Sequence, residues 1–242
     1  LRVVADDLKK SGMHKLFTHG LRDEAQKVTD LGPVPESWEV VALGDVCSLS
    51  TGTTPATKRP DYYQGSIPFI KTSEIVNNRL TRASTFISQQ AVADYNLRVY
   101  PPGTVLMAMY GQGKTRGQVA LLELAAATTQ NAAALQPLEG LDPGFLWQYL
   151  LNNYERLRGI GSLGHLSHLN LGYLREIAVV KPTITEQREI VSILEILDRK
   201  IDVHERKHAA LIALFTTLLT RLMTGDIRVT ELNINTTEVR IS

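Results

Sequence analysis

The chain has 242 residues, 43% of them hydrophobic, and a formal net charge of +1, enough for one globular domain with its own core plus an extension. Its single cysteine, Cys47, excludes an internal disulfide framework and suits a reducing cytoplasm. No apolar run approaches the ~20 residues of a membrane span, and Asp6 and Asp7 stand where a signal peptide would need its apolar core.

Residues 1–22 read as the tail of a helix, with Leu1, Val4, Leu8 and Leu16 at apolar spacing and Gly20 as the stop. The start at Leu1, in mid-helix, reads as a cut from a longer molecule. Residues 23–37 read as a linker, because Pro33 and Pro35 exclude helix and favour extended backbone. Over residues 38–182 short β-type runs alternate with turns: Trp38–Val41, Ile67–Ile70, Thr104–Met109, Gln118–Leu122 and Ile177–Val180. Asn77-Asn78 and Pro101-Pro102-Gly103 mark turns, and Leu141–Leu157 reads as helical after Asp142-Pro143. Residues 183–224 read as one long helix and 225–242 as a tail. The expected fold class is α/β in the α+β sense: a mixed globular domain followed by a coiled-coil helix.

That last helix is the clearest local signal. Thr183 and Glu186 form a capping box, in which Glu186 is expected to reach back to the Thr183 N–H. A seam follows at Ile190, Leu194, Leu197, Ile201, His204, His208, Leu211, Phe215, Leu218 and Leu222. Its spacing alternates four and three, the heptad period of a coiled coil. A helix from Ile184 to Met223 would be roughly 60 Å long. Such a rod is not expected to fold back on a small domain, so its seam calls for another helix.

Three loops offer polar chemistry. His204-Glu205-Arg206-Lys207-His208 matches the zinc-peptidase pattern H-E-x-x-H. Both histidines occupy seam positions and the residues between them are charged, so the reading is a polar layer that fixes register. A zinc-dependent hydrolase is the alternative, with zinc bridging across a dimer left open. The run Gly111-Gln112-Gly113-Lys114-Thr115-Arg116-Gly117 lacks the glycine spacing of a phosphate loop, since Ala108 stands five residues before Gly113. It reads instead as a basic loop between strands, with Gln112, Lys114 and Arg116 as donors to phosphate or base edges. Thr53 to Tyr63 is a second such loop, with Lys58, Arg59 and Tyr63. Ser162 to Asn170 is a third, with His165 and Ser167; Lys71 and Thr72 complete the candidate DNA-binding set. Charge is unevenly placed: residues 51–120 hold eight basic and three acidic side chains, and residues 121–150 hold three acids and no base. A domain that lays one surface on phosphate has such a polarity.

Residues 14–22 are repeated in weakened form at 220–228, an offset of 206, with Leu16/Leu222, Thr18/Thr224 and Arg22/Arg228 identical. The chain then holds one structural period and the start of another. Several segments converge on a known family. Gly32-Pro33-Val34-Pro35-Glu36-Ser37-Trp38-Glu39-Val40, Leu43-Gly44-Asp45-Val46, Gly52-Thr53-Thr54-Pro55 and Ile67-Pro68-Phe69-Ile70-Lys71-Thr72 resemble the body of a target recognition domain. So do Pro102-Gly103-Thr104-Val105-Leu106 and Thr129-Gln130-Asn131, and Pro182 through Asp198 resembles the exit into a conserved spacer helix.

The chain thus resembles the specificity subunit of type I restriction–modification enzymes, in its C-terminal half. The resemblance implies a non-catalytic subunit that reads one half of a bipartite site in double-stranded DNA. Its helices would dock DNA methyltransferase (modification) subunits and, through the complex, a restriction subunit. It also implies pairing, either as a homodimer of halves or with the missing half, in the cytoplasm and away from membranes. No cofactor or metal is implied here; S-adenosylmethionine and ATP would belong to partner subunits.

Overall fold

The computed structural model describes residues 2–111, 114–160 and 169–227. In chain order the elements are α1 (Arg2–His19), β1 (Gln26–Thr29), β2 (Gly32–Pro35), β3 (Glu39–Ala42), α2 (Leu43–Val46), β4 (Cys47–Thr51), β5 (Ile67–Ile70), β6 (Asn78–Leu80) and β7 (Phe86–Ile87). There follow α3 (Gln89–Asp94), β8 (Val105–Ala108), β9 (Val119–Leu122), β10 (Ala127–Thr128), β11 (Ala132–Pro137), α4 (Pro143–Asn152), α5 (Tyr154–Ile160), α6 (Leu171–Glu176), β12 (Ala178–Lys181) and α7 (Ile184–Met223).

A five-stranded sheet in the order β4-β11-β8-β9-β6 lies at the centre, antiparallel except for the β9/β6 pair. Alternation along its strands separates two cores. Val105, Met107, Val119, Leu121, Ala133 and Leu135 pack with α4, α1 and α7. Leu106, Ala108, Ala120, Leu122, Ala132 and Ala134 pack with Ile70, Ile75 and Tyr100. A smaller sheet, β10-β5-β7, carries a third core built on Tyr62, Phe69 and Ile87. The expected strands and the mixed class are found. The helix expected over Leu141–Leu157 is two helices, broken at Asn153.

Two expectations about the N-terminal segment change. The residues read as a linker fold as a β1–β2 hairpin, with Gly32 in the left-handed region at φ +94°. Among the described side chains of α1, Met13 and Phe17 are buried, while Leu8 is 66% exposed. Of the expected apolar spacing, Leu16 packs against the core and Leu8 faces the wrong side, while Leu1 and the Val4 side chain lie outside the described residues. The right side is set by α7, against which α1 lies antiparallel: Lys9 Nζ meets Asp198 at 2.5 Å and Leu21 meets Glu186.

The start of α7 is joined to three elements at once. Thr183 caps it as expected, its hydroxyl accepting the Glu186 N–H at 3.4 Å. Glu186 does not complete the box. Its carboxylate, 2% exposed, accepts from the Leu21 N–H at 3.1 Å and the Trp38 indole at 3.2 Å. The Trp38 indole is buried and the Leu21 N–H half-buried, so both demand an acceptor more strongly than a solvent-exposed cap does. Gly20 makes room for this: at φ +66°, a Cβ on it would stand 2.9 Å from Glu186 Oε1. Gln187, fully buried, accepts from the Asp142 N–H at 2.8 Å and donates to the Gly140 and Pro182 carbonyls.

The seam residues divide. Ile190 and Leu194 are fully buried in the domain's own core, and Leu197 packs at its edge. The rod does fold onto its own domain over this stretch, contrary to expectation, because α4 and α1 supply the neighbours. Ile201 is half-buried, and from His204 onward the seam is exposed apart from the half-buried Leu218 and Leu222.

Candidate nucleic-acid interface

One end of the sheets gathers the polar loops. Register places the end of β4, the start of β11, the end of β8 and the start of β9 together, through Thr51↔Ala133, Ala108↔Ala132 and Met107↔Val119. The parallel pairs bring the start of β6 and the ends of β5 and β10 to the same end, through Asn78↔Ala120 and Ile70↔Thr128. The segments 52–57, 71–77, 109–111, 114–118 and 129–131 therefore emerge side by side. Leu169 joins them, its N–H donating to the Met109 carbonyl at 3.1 Å.

Side chains tie these loops to one another. The Thr54 hydroxyl donates to Gln130 Oε1, and the Thr72 and Thr129 hydroxyls share a hydrogen bond of 3.0 Å. Asn77 Oδ1 accepts the Val119 N–H at 3.0 Å, and the Met109 N–H donates to the Asn131 carbonyl at 3.0 Å. Gly52 is required by the crossing: a Cβ there would stand 1.8 Å from the Thr128 carbonyl oxygen. Loops held on a rigid sheet in this way present their outer side chains at little further entropic cost.

The sequence-predicted residues separate into two groups. Lys58, Lys71 and Lys114 are exposed and reach solvent from their loops. Thr72 is half-buried and spent on Thr129. Arg59 is held back, with Nε on Asp61 at 2.9 Å and its guanidinium 4.5 Å from the Tyr62 ring centre. That hydrogen bond keeps the Asp61 carboxyl below the usual carboxylate range. Tyr63 donates its hydroxyl to the Pro55 carbonyl at 2.8 Å and packs edge-on to Phe69, so it supports the loop from behind. Arg116 turns inward to the Arg158 carbonyl at 3.2 Å, where it fastens α5 beneath the loop. Arg59, Tyr63 and Arg116 each have a protein partner within hydrogen-bond range, so part of their hydrogen-bonding capacity is engaged within the domain. Gln112, His165 and Ser167 lie outside the described residues.

Ranking by charge passed over Thr53, Gln130 and Asn131, which are exposed in the same cluster, and Tyr110, 40% exposed beside them. The available signal was the polar triplet Thr129-Gln130-Asn131 between two apolar runs, which marks a loop whose amides can meet base edges.

The other candidates lie far from this end. His204 and His208 are exposed on α7, and among the described residues no group of three or more histidine, cysteine or carboxylate side chains gathers at metal-binding distance. This gives the zinc hydrolase reading no footing. Among the described residues no helix is long and apolar enough to cross a membrane. Cys47 is buried, and burial pushes its thiol up to about 12, which makes it an inert core residue.

Comparison with known proteins agrees with this geometry. A family model described as "Type I restriction modification DNA specificity domain" matches residues 35–213. The chain is 28% identical over 203 residues to the type I restriction enzyme MjaIX specificity subunit of Methanocaldococcus jannaschii, covering 81% of this chain and 46% of that one. It is 25% identical over 202 residues to the HindI specificity subunit of Haemophilus influenzae, covering 80% and 42%. Among solved structures, the HsdS subunit from Thermoanaerobacter tengcongensis superimposes with a TM-score of 0.63 at 21% identity, over 93% of this chain and 52% of that one. The S subunit from M. genitalium gives 0.60 at 16% identity, over 91% and 54%. The chain spans about half the length of the relatives it matches.

Proposed function

The chain belongs to the family of type I restriction modification DNA specificity domains, and from that premise we infer that it is a non-catalytic reader of one half of a split DNA target. The observation that carries this is the shared loop end. Lys58, Lys71 and Lys114 supply cations there, and Gln130 and Asn131 supply amides, on loops cross-tied by Thr54, Thr72 and Asn77. Lysines that neutralise phosphates set the domain on the duplex, and amides facing base edges discriminate among sequences. No step of bond chemistry is assigned to the chain; methyl transfer and cleavage belong to partner subunits, as do S-adenosylmethionine and ATP.

The exposed second part of α7 is the assembly side of the same reading. It pairs with a second copy, or with the helix of a missing half, and the joined helices dock methyltransferase subunits in the cytoplasm. The weak repeat of residues 14–22 at 220–228 supports this, since the end of α1 already docks at the start of α7 through Gly20, Leu21 and Glu186.

The test is to express the chain with an adenine methyltransferase partner in a host lacking other modification and to sequence the methylated DNA. A two-part motif with a fixed gap, absent when the chain is omitted, is expected. Methylation that ignores the chain would overturn the assignment.

A further inference from the structure

Between the β6 edge of the domain and α7 runs a cleft of about 420 Å³, lined by Arg79, Trp147, Glu195, Asp198, Arg199 and Asp202. Arg79 spans it. One guanidinium nitrogen binds Glu123 Oε1 at 2.9 Å, just beyond β9, and the other binds Glu195 Oε1 on α7 at 2.7 Å. Its carbon lies 4.9 Å from the ring centre of Trp147, which is 4% exposed. A planar cation fixed by two carboxylates and an aromatic ring is far better oriented than a lone surface pair.

We propose that Arg79 is a positioning residue that sets the heading of α7 relative to the recognition domain, and through it the separation of the two DNA half-sites. The second clause rests on the split-target reading above. Ile190, Leu194 and the Lys9–Asp198 pair hold α7 against α4 and α1, and two further side-chain anchors fix its direction relative to the sheet. The first is Glu186, buried against Leu21 and Trp38 at the start of α7. The second is Glu195, about 13.5 Å further along at 1.5 Å per residue, with Met223 about 55 Å from the first. A slip of about 1 Å at Arg79 therefore moves the far end by about 4 Å, more than the ~3.4 Å between stacked bases along a strand. The gap read by a joined pair of domains is thus sensitive to a side chain held between Glu123, Glu195 and Trp147.

Two measurements test this on the full chain. Spin labels at Ala93→Cys and Lys207→Cys report the angle directly; Cys47, 2% exposed, stays unlabelled. We expect one narrow distance in the parent and a distribution several ångström broader in Arg79→Ala and in Glu195→Ala, with Arg79→Lys between them. Glu195 is 42% exposed, so its variant keeps the fold if Arg79→Ala does not. Methylated DNA from cells carrying each variant with its methyltransferase should show the same half-sites with a gap shifted or blurred by one base pair or more. Superimposable distance distributions, or an unchanged gap in both variants, would overturn the proposal. Loss of any two-part motif with the parent chain would overturn the split-target reading instead, while the spin-label distances still decide the anchor.

Discussion

Residues 184–201 and 202–223 of α7 belong to one uninterrupted helix with one heptad rhythm, yet they live in different surroundings. In the first stretch Ile190 and Leu194 are fully buried against α4 and α1. In the second, Leu211 is 54% exposed, Phe215 67% and Met223 81%. Residues 209–220 contain no charged side chain at all. A helix that is apolar round much of its circumference is stable only with neighbours on more than one side. The difference teaches that a hydrophobic pattern specifies burial but is silent about where the burying surface comes from. In the first stretch this chain provides it; in the second, its described residues do not.

The contrast can be broken by substitution. Leu194→Ala should cost about 2–5 kcal/mol of folding stability, as a truncation in a packed core does, read by denaturant unfolding. Glu186→Ala should cost about 1–3 kcal/mol for the buried Trp38 indole N–H it orphans, and less for the half-buried Leu21 N–H. Its signature is earlier exchange of the Leu21 amide. On the DNA side, Lys114→Ala should leave unfolding unchanged and reduce the slope of log affinity against log salt by about 1, if it neutralises one phosphate. Arg116→Ala should spare that slope and lower stability instead, because Arg116 holds the Arg158 carbonyl. The smallest effect on folding belongs to Phe215→Asp, within about 0.5 kcal/mol, although sedimentation should show the association of copies abolished. If Phe215→Asp unfolds the isolated chain, the second stretch is not bare and the contrast fails.

Strands with β-branched or alternating residues were legible, as at Ile67–Ile70 and Gln118–Leu122. The one next to the middle of the central sheet was not. Ala132–Pro137 begins with three alanines, a weak strand former. It needs small residues because it is squeezed between two cores, and with both sides apolar no alternation betrays it. The site was legible as a set of basic loops, because charge and glycine content are local. Which cations reach outward was not. Arg59 and Arg116 have the same formal charge as Lys58 and Lys114, and only the positions of Asp61, Tyr62 and the Arg158 carbonyl give them partners within the protein.

By itself the sequence determined the long helix, its Thr183 cap, its heptad rhythm and, through short motifs, the family. All of these depend on residues within a turn or two of each other, where backbone propensity and side-chain periodicity act. Tertiary structure alone decided that Glu186 serves Leu21, 165 residues away, rather than its own helix end. It alone decided that Arg79 bridges to Glu195 across 116 residues, and that Ile190, Leu194 and Leu197 of the seam are already packed. Such contacts arise only once distant segments are brought together. Buried donors then claim whichever acceptor is in reach, because leaving them unpaired costs more than any local preference.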